Sequence, residues 1–334
     1  MFDSHHPQKG PFVRALQPGE RVVAFYLVRR KQMEIFRDKT RGEYLTLSLG
    51  DRSGEILARV WERAQELSGD FSQGDVIKVA ADVEIYRDRA QLIVRKLRFA
   101  REGEFDMRDM QPAAEKDTSE MQAELQRLLA SIEKAHLSAL LQHFFTDADV
   151  LSSFSTAPAA RKIHHAYLGG LLEHTLEVAA LAEALLRVYP EIDRDMLLTG
   201  VLLHDIGKIR EFTWESDIDQ SDEGRLLGHV VISGQMVEAA IAQLPYFPGE
   251  LRLRLQHMIV SHHGRHEWGS PRRPKTLEAI ALHHLEGLDA QVNRFRDLLR
   301  ERREPEQNWT DYNRLLDRKL YAGQGELSIE EAGH

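Results

Sequence analysis

The period of the hydrophobic residues changes once along this chain, and no other feature limits its fold as strongly. As far as about residue 100, apolar side chains tend to recur at every second position; from Ser119 onward they recur every three or four. Alternation marks a strand with one buried face, and the wider spacing marks a helix with one buried stripe. A chain of 334 residues is long enough for about two domains. The pattern predicts a β unit followed by an α unit.

In the first part, residues 21–28, 43–49, 55–61, 75–80 and 90–97 predict short strands, with 82–86 as a further piece and 62–67 as a short helix-like stretch. Gly50, Ser53 and Gly54 mark a turn. Short strands at regular spacing suggest a small sandwich or barrel, and a helix between the third and fourth of five strands is the plan of an OB-fold. Phe25, Phe71 and Phe99 are expected in its core. Residues 101–118 are charged, contain Pro112 and show no period, which predicts a linker. Helices are expected over 119–143 (with Ser119 as N-cap), 159–189, 194–205, 227–244, 249–261, 275–302 and 310–321. The expected architecture is multidomain: an extension at 1–19, an all-β OB-fold barrel at 20–100, the linker, an all-α helical bundle at 119–321 and a tail at 322–334.

Composition narrows the chemistry. Hydrophobic residues make up 42% and charged residues 29%, which excludes a wholly disordered chain. Apolar runs such as 178–186 are too short to span a bilayer, and Glu183 interrupts that one. No membrane partner is expected. The first residues, MFDSHHPQKGPF, lack the apolar stretch of a secretory signal. There is no cysteine, which removes disulfides, iron–sulfur clusters and thiol nucleophiles and fits a cytoplasmic location. There are 16 histidines, so any metal would be held by imidazole and carboxylate. The net charge of −9 hides an asymmetry: residues 20–101 hold 17 Lys/Arg against 13 Asp/Glu, while residues 102–334 hold 25 against 39. A basic module on an acidic chain is the footprint of a nucleic-acid binder.

The chemistry concentrates in the helical part. In order come His174, the run His204-Asp205-Ile206-Gly207-Lys208, His229, the pair His262-His263, and Asp289. Neighbours on a helix point about 100° apart, so His204 and Asp205 reach one ion only from a helix end or a tight packing site. The other ligands must come from other helices, as in helical-bundle metal sites. Seven candidates exceed the needs of one ion with open positions and suit two ions bridged by a carboxylate, with Asp205 as the natural bridge. Imidazole and carboxylate favour Mn²⁺, Fe²⁺, Co²⁺, Ni²⁺ or Zn²⁺ over Mg²⁺. Such a pair suits in-line displacement at phosphorus, with Lys208 placed to hold a phosphate oxygen or assist the leaving group. His136, His143, His257, His266, His283 and His284 are expected to be ordinary hydrogen-bonded histidines.

These motifs resemble a family. The order H…HD…D is that of the HD-domain phosphohydrolases. The runs HHAYLGGLLEHT (164–175), HDIGKIRE (204–211) and SHHGRHEWGSPRRPKTLEAIALHHLEGLDAQVN (261–293) look like those of the YhaM-like 3′–5′ exoribonucleases, which join an OB-fold to an HD domain. The resemblance covers about residues 18–320. It implies a manganese-favouring hydrolase acting on 3′ ends of single-stranded RNA, with single-stranded DNA as a second candidate. It further implies that His174, His204, Asp205 and Asp289 hold one ion and that Asp205, His229, His262 and His263 hold the other. Two departures matter. Trp268-Gly269-Ser270-Pro271 stands where the cyclic-dinucleotide phosphodiesterase branch has a GYP triplet, and Gly170 stands where a three-metal variant has a carboxylate.

For the nucleic acid itself, an OB barrel offers stacking aromatics and a basic groove. The candidates are Tyr44, Trp61 and Tyr86 for bases and Lys31, Arg59 and Arg87 for phosphates. His164, His165, Arg272, Arg273 and Lys275 are candidates near the cleft. Two other readings stand beside the exoribonuclease: a small-nucleotide or cyclic-dinucleotide phosphohydrolase with a regulatory or oligomerising barrel, and a non-enzymatic single-strand-binding adaptor. Homo-oligomer formation is left open by the sequence.

Overall fold

The computed structural model describes residues 9–36, 38, 40, 42–86, 89–101, 103–161, 165–214, 218–300, 308–313 and 316–323. Five strands close the N-terminal part into a barrel: β1 (Arg21–Ile35), β2 (Glu43–Asp51), β3 (Gly54–Val60), β4 (Val76–Tyr86) and β5 (Arg89–Phe99), in the order β1-β2-β3-β5-β4. Closure comes from antiparallel pairing of β1 with β4 and from a parallel pair in which Leu57 of β3 faces Gln91 of β5. The helix α1 (Ala64–Ser68) lies between β3 and β4 and completes the OB plan.

Strand β2 shows why the barrel forms. Leu45, Leu47 and Leu49 are wholly buried, while Tyr44, Thr46 and Ser48 between them are partly exposed. Strand β1 is different. Val22, Ala24, Tyr26 and Val28 line the barrel, and Phe25 and Leu27 are also buried, on the outer face, with Val76, Ala100 and Met110. A strand covered on both faces reads as an unbroken apolar run. The piece expected at 82–86 continues β4, and Phe99 is exposed whereas Phe25 and Phe71 are core.

The stretch expected as a linker is a packed clasp. It contains the short helix α2 (Met107–Met110), whose first turn is capped by the Asp106 carboxylate. Met110 is fully buried against the outer face of β1, and the Arg29 guanidinium donates to its carbonyl at 3.1 Å. The backbone N–H of Arg52 donates to the Asp109 carbonyl at 2.9 Å. On the other side, Gln111 Nε2 donates to the Trp214 carbonyl at 3.0 Å and the Ala114 N–H donates to the Leu168 carbonyl at 2.8 Å.

The helical part comprises α3 (Thr118–Ala130), α4 (Ala135–Phe145), α5 (Ala148–Thr156), α6 (Gly170–Leu186), α7 (Arg194–Leu203), α8 (Lys208–Glu211), α9 (Asp222–Gln243), α10 (Gly249–Ser261) and α11 (Leu277–Arg300), with a two-strand ribbon of β6 (Phe212–Thr213) and β7 (Asp219–Gln220). Four expectations need correction. The N-cap of α3 is Asp117, not Ser119. The helix expected to run to 143 breaks after Ser131, because the Asp195 carboxylate accepts from the N–H groups of Glu133 and Lys134 and starts α4 afresh. The helix expected from 159 begins only at Gly170. Before it the chain folds back: Ala159 N–H donates to the His165 carbonyl at 3.1 Å, and Gly169 has a φ of 79°. Among the described residues of the stretch expected as a helix at 310–321 there is no helix, and Trp309 pairs with Tyr321 and Asn313 with Arg318.

Helix α7 is the axis of this part. Its residues from Asp195 to Leu203 are all buried, and it packs against α6, α10 and α11. A helix apolar nearly all round belongs at the centre of a bundle.

Truncating the clasp tests its packing. Met110→Ala should destabilise the protein by about 2–5 kcal/mol, read by denaturant unfolding, and should speed proteolytic cleavage between residues 101 and 118. Unchanged stability with unchanged cleavage would mean that the clasp carries no load.

Candidate metal centre

The buried helix α7 ends at Leu203 and delivers His204 and Asp205 into the middle of the bundle. His204 is the C-cap. Its Nδ1 donates to the Val201 carbonyl at 2.8 Å, which sets the tautomer and turns the Nε2 lone pair inward. Asp205 follows in a tight turn, closed by the Lys208 N–H donating to the Asp205 carbonyl at 2.9 Å. The turn needs Gly207: a Cβ there would lie 2.6 Å from the His229 carbonyl oxygen and the Ser233 nitrogen, so α9 approaches only because that side chain is missing.

Asp205 faces two sets of partners. Its Oδ2 lies 2.6 Å from Lys208 Nζ, 3.2 Å from His204 Nε2 and 3.7 Å from His174 Nε2 of α6. Its Oδ1 lies 3.4 Å from His229 Nε2 and 3.7 Å from His262 Nε2. His229 reaches in because Gly228, with a φ of 73°, kinks α9 just before it. His262 caps α10, and its Nδ1 donates to the Ile259 carbonyl at 2.7 Å. His263 Nδ1 donates to the Trp268 carbonyl at 2.7 Å. Three groups are compact enough to hold an ion: His174, His204 and Asp205; His229, His262 and His263; and His165, His174 and Asp289.

The donor set fits divalent metal on grounds internal to the site. The Nε2 atoms of His229 and His263 are 3.2 Å apart. His229 Nδ1 faces the Glu211 carboxylate at 2.8 Å, and His263 Nδ1 is committed to a carbonyl, so both Nε2 atoms present lone pairs. The Nε2 atoms of His204 and His262 and the Oδ1 of Asp205 are buried and have no hydrogen-bond partner among the described residues. Acceptors converging without a donor are costly unless a cation joins them.

Electrostatics favour the metal-binding protonation state at His174, His262, His263 and Asp205 but not at His204. Burial pushes His174 and His263 down to about 4 and His262 well below its usual range, so these imidazoles stay neutral. Burial opposes ionisation of Asp205, but His204 and Lys208 outweigh it and hold the carboxyl well below the carboxylate range. His204 itself is raised, burial being outweighed by Asp205.

His165 is placed differently from expectation, and Asp289 falls with it in the third group, which shares His174 with the first. Asp289 Oδ2 accepts from His174 Nδ1 at 2.6 Å and from His165 Nε2 at 3.2 Å, while its Oδ1 accepts from Asn293 at 3.0 Å. A carboxylate behind a ligating imidazole fixes its tautomer and raises its basicity. His165 is not at a substrate surface; it is buried, with a positive φ of 52°. Burial opposes its charging, but Asp289 and Glu173 raise it to about 9. Tyr167 links the two, accepting from His165 at 2.9 Å and donating to Glu173 at 2.6 Å. Neither Glu211, Glu173 nor Tyr167 stood out in the sequence, although each lies within six residues of a motif histidine or its lysine. Glu286, one turn before Asp289, is another such group; burial and the Asp205 charge push it up to about 7. Among the default histidines, His283 donates to the His262 carbonyl at 2.8 Å and so braces a ligand helix end.

On the barrel, Tyr44 and Trp61 come together with Phe36 at centroid separations of 4.7–5.5 Å, and Arg59 stacks on Tyr44 at 5.3 Å. Phe36 was not anticipated. Tyr86 is exposed. Lys31 is not presented to a ligand: its ammonium donates to the carbonyls of Ser68 and Phe71 and covers the Phe71 ring. Arg272, Arg273 and Lys275 are exposed and form no ion pair among the described residues. Arg87 and His164 lie outside the described residues.

An OB-type barrel joined to a helical body with a His–Asp pair at the end of its buried central helix defines a metal-dependent phosphohydrolase of the HD class. The HD domain family matches residues 171–291. Over a longer span, the chain is 33% identical to the 3′–5′ exoribonuclease YhaM of Shouchella clausii strain KSM-K16 across 283 residues, covering 84% of this chain and 87% of that protein. Against YhaM of Geobacillus sp. strain WCH70 the identity is 33% over 277 residues, covering 82% and 84%. The chain belongs to the YhaM family of 3′–5′ exoribonucleases. Among solved structures, a replication protein A domain of Methanococcus maripaludis aligns with 28% of this chain and 97% of its own at 18% identity and a TM-score of 0.24. Among the described residues, no helix is long and apolar enough to cross a membrane.

Two outcomes are expected. Mn²⁺ at 100 times its dissociation constant should stabilise EDTA-treated protein by about 2.7 kcal/mol, and His263→Ala should lose most of that gain in thermal unfolding. In the metal-free protein, His165 has a folded pKa of about 9, above its usual 6.5. Its contribution is therefore full below about pH 6.5 and falls away as pH rises through about 9, a difference of at most about 3 kcal/mol. Urea midpoints of wild type and His165→Gln should converge at high pH; a constant gap would contradict the assignment.

Proposed function

We propose that this protein is a two-metal 3′–5′ exoribonuclease whose barrel holds single-stranded RNA while the His–Asp cleft hydrolyses the terminal phosphodiester. The observation that carries the two-metal reading is the divided environment of Asp205, with His174 and His204 at one oxygen and His229 and His262 at the other. On this reading His174, His204 and Asp205 hold the first ion, and Asp205, His229, His262 and His263 hold the second. Asp289 orients His174. When bound, two divalent ions, Mn²⁺ favoured, supply charge stabilisation at the phosphoryl oxygens and an acidified water at neutral pH.

The chain's own groups do the rest. Lys208, held by Asp205, is the cleft's built-in cation and binds a phosphate oxygen. Glu211 holds His229 in one tautomer. Hydrolysis breaks the bond between the phosphorus and the 3′ oxygen of the preceding nucleotide, adds water across it, and leaves a nucleoside 5′-monophosphate and a new 3′ hydroxyl. Phe36, Tyr44 and Trp61, with Arg59, form a stacking platform that accepts any base. Tethering such a binder to the cleft raises the local concentration of 3′ ends.

The test is a gel-resolved time course on 5′-labelled single-stranded RNA with Mn²⁺, Mg²⁺ or EDTA. Stepwise shortening with Mn²⁺ and none with EDTA is expected. Asp205→Ala should slow shortening by more than about 100-fold while leaving RNA binding by the barrel largely intact. No shortening under any divalent ion, with turnover of free nucleotides that survives deletion of residues 1–100, would favour the small-nucleotide phosphohydrolase.

A further inference from the structure

The segment between α10 and α11 carries an exposed tryptophan that neither the bundle core nor the metal ligands require. Trp268 is 56% exposed, yet its position is tightly held. Its carbonyl accepts from His263 Nδ1 at 2.7 Å. The loop behind it is pinned by the buried Ser270, whose hydroxyl donates at 3.1 Å to the Val260 carbonyl and whose N–H donates at 3.1 Å to the Arg265 carbonyl. His266 Nδ1 adds a bond to the Ser270 carbonyl at 3.0 Å. The guanidinium of Arg265 lies 4.8 Å from the indole centroid and forms no ion pair among the described residues. An exposed indole with an unpaired cation beside it thus stands on backbone that is bonded directly to a residue of the His229–His262–His263 group.

We propose that Trp268, with Arg265, is the platform that receives the base of the 3′-terminal nucleotide. The inference rests on the exoribonuclease reading and deepens it. If the last phosphodiester is cleaved beside Asp205, the nucleoside beyond it must lie immediately outside the His–Asp cleft, and Trp268 is the aromatic surface tied to that rim. Stacking is blind to base identity, which suits removal of any nucleotide, and the adjacent guanidinium adds attraction for phosphate and for the base face. The strand upstream is left to the barrel.

The experiment uses the full chain with Mn²⁺ and 5′-labelled single-stranded RNA ending in a normal or an abasic 3′ nucleotide. In the wild type the abasic end should raise KM about 5–100-fold. Trp268→Ala should raise KM for normal RNA by a similar factor with kcat little changed, and should make normal and abasic ends equivalent. Trp268→Phe should recover most of the affinity. In a Trp61→Phe background, adenosine 5′-monophosphate should quench tryptophan fluorescence, and adding Trp268→Ala should remove that quench. Equal KM for the two ends in an active wild type, a penalty that persists in Trp268→Ala, or a penalty that appears only when the penultimate nucleotide is abasic would overturn the assignment while the exoribonuclease reading stands. A wild type that shortens no RNA under any divalent ion would remove both.

Discussion

A carboxylate buried at the end of a buried helix is the constraint on which the helical half is organised. Taking an anion from water to the middle of a bundle is prohibitive unless positive charge meets it there. Asp205 is met by Lys208 on the same turn, by its neighbour His204 at the end of α7, and by imidazoles from three other elements, His174 on α6, His229 on α9 and His262 at the end of α10. The bundle's topology follows from this convergence. Helices that share no sequence neighbourhood have to bring their ends or kinks to one point.

Convergence at that point depends on missing side chains and fixed tautomers as much as on ligands. Gly207 lets α9 close on the His–Asp turn, and Gly228 bends α9 so that His229 points inward. Gly264, with a φ of 76°, allows the ring of His283 to press against the end of α10. Each inner histidine has its outer nitrogen committed: to Val201, to Ile259, to Trp268, to Glu211 or to Asp289. Such commitment makes a lone pair face inward before any ion arrives, so less reorganisation remains to be done on binding.

Most of this was legible in the sequence where one periodic pattern or one compact motif carried the information. The alternation of β2 and the His204–Lys208 run are local statements, and the fold honours them. What the sequence concealed depended on partners far along the chain. The apolar run in β1 has two buried faces because the segment around Met110 returns to cover one of them. The expected helix from 159 fails because His165 is drawn back to Asp289, which is 124 residues away. Lys31 looked like a phosphate ligand, but two carbonyls near the end of α1 take its ammonium. Asp289 belongs to the motif by order, whereas its orientation toward His174 and His165 is a property of helix packing that spacing does not encode.

On the proposed reading, the clasp around α2 would give the protein a means of measuring length. It is bonded to the barrel through Arg29 and Arg52 and to the helical body through Gln111, and so ties one half to the other. On the proposed reading, the path from the stacking aromatics to the cleft is then a ruler of set span. A strand longer than the ruler is gripped at two points and retained through successive rounds; a shorter one is gripped at one point and let go. Digestion would slow at a remnant whose size is set by the architecture and is indifferent to base sequence.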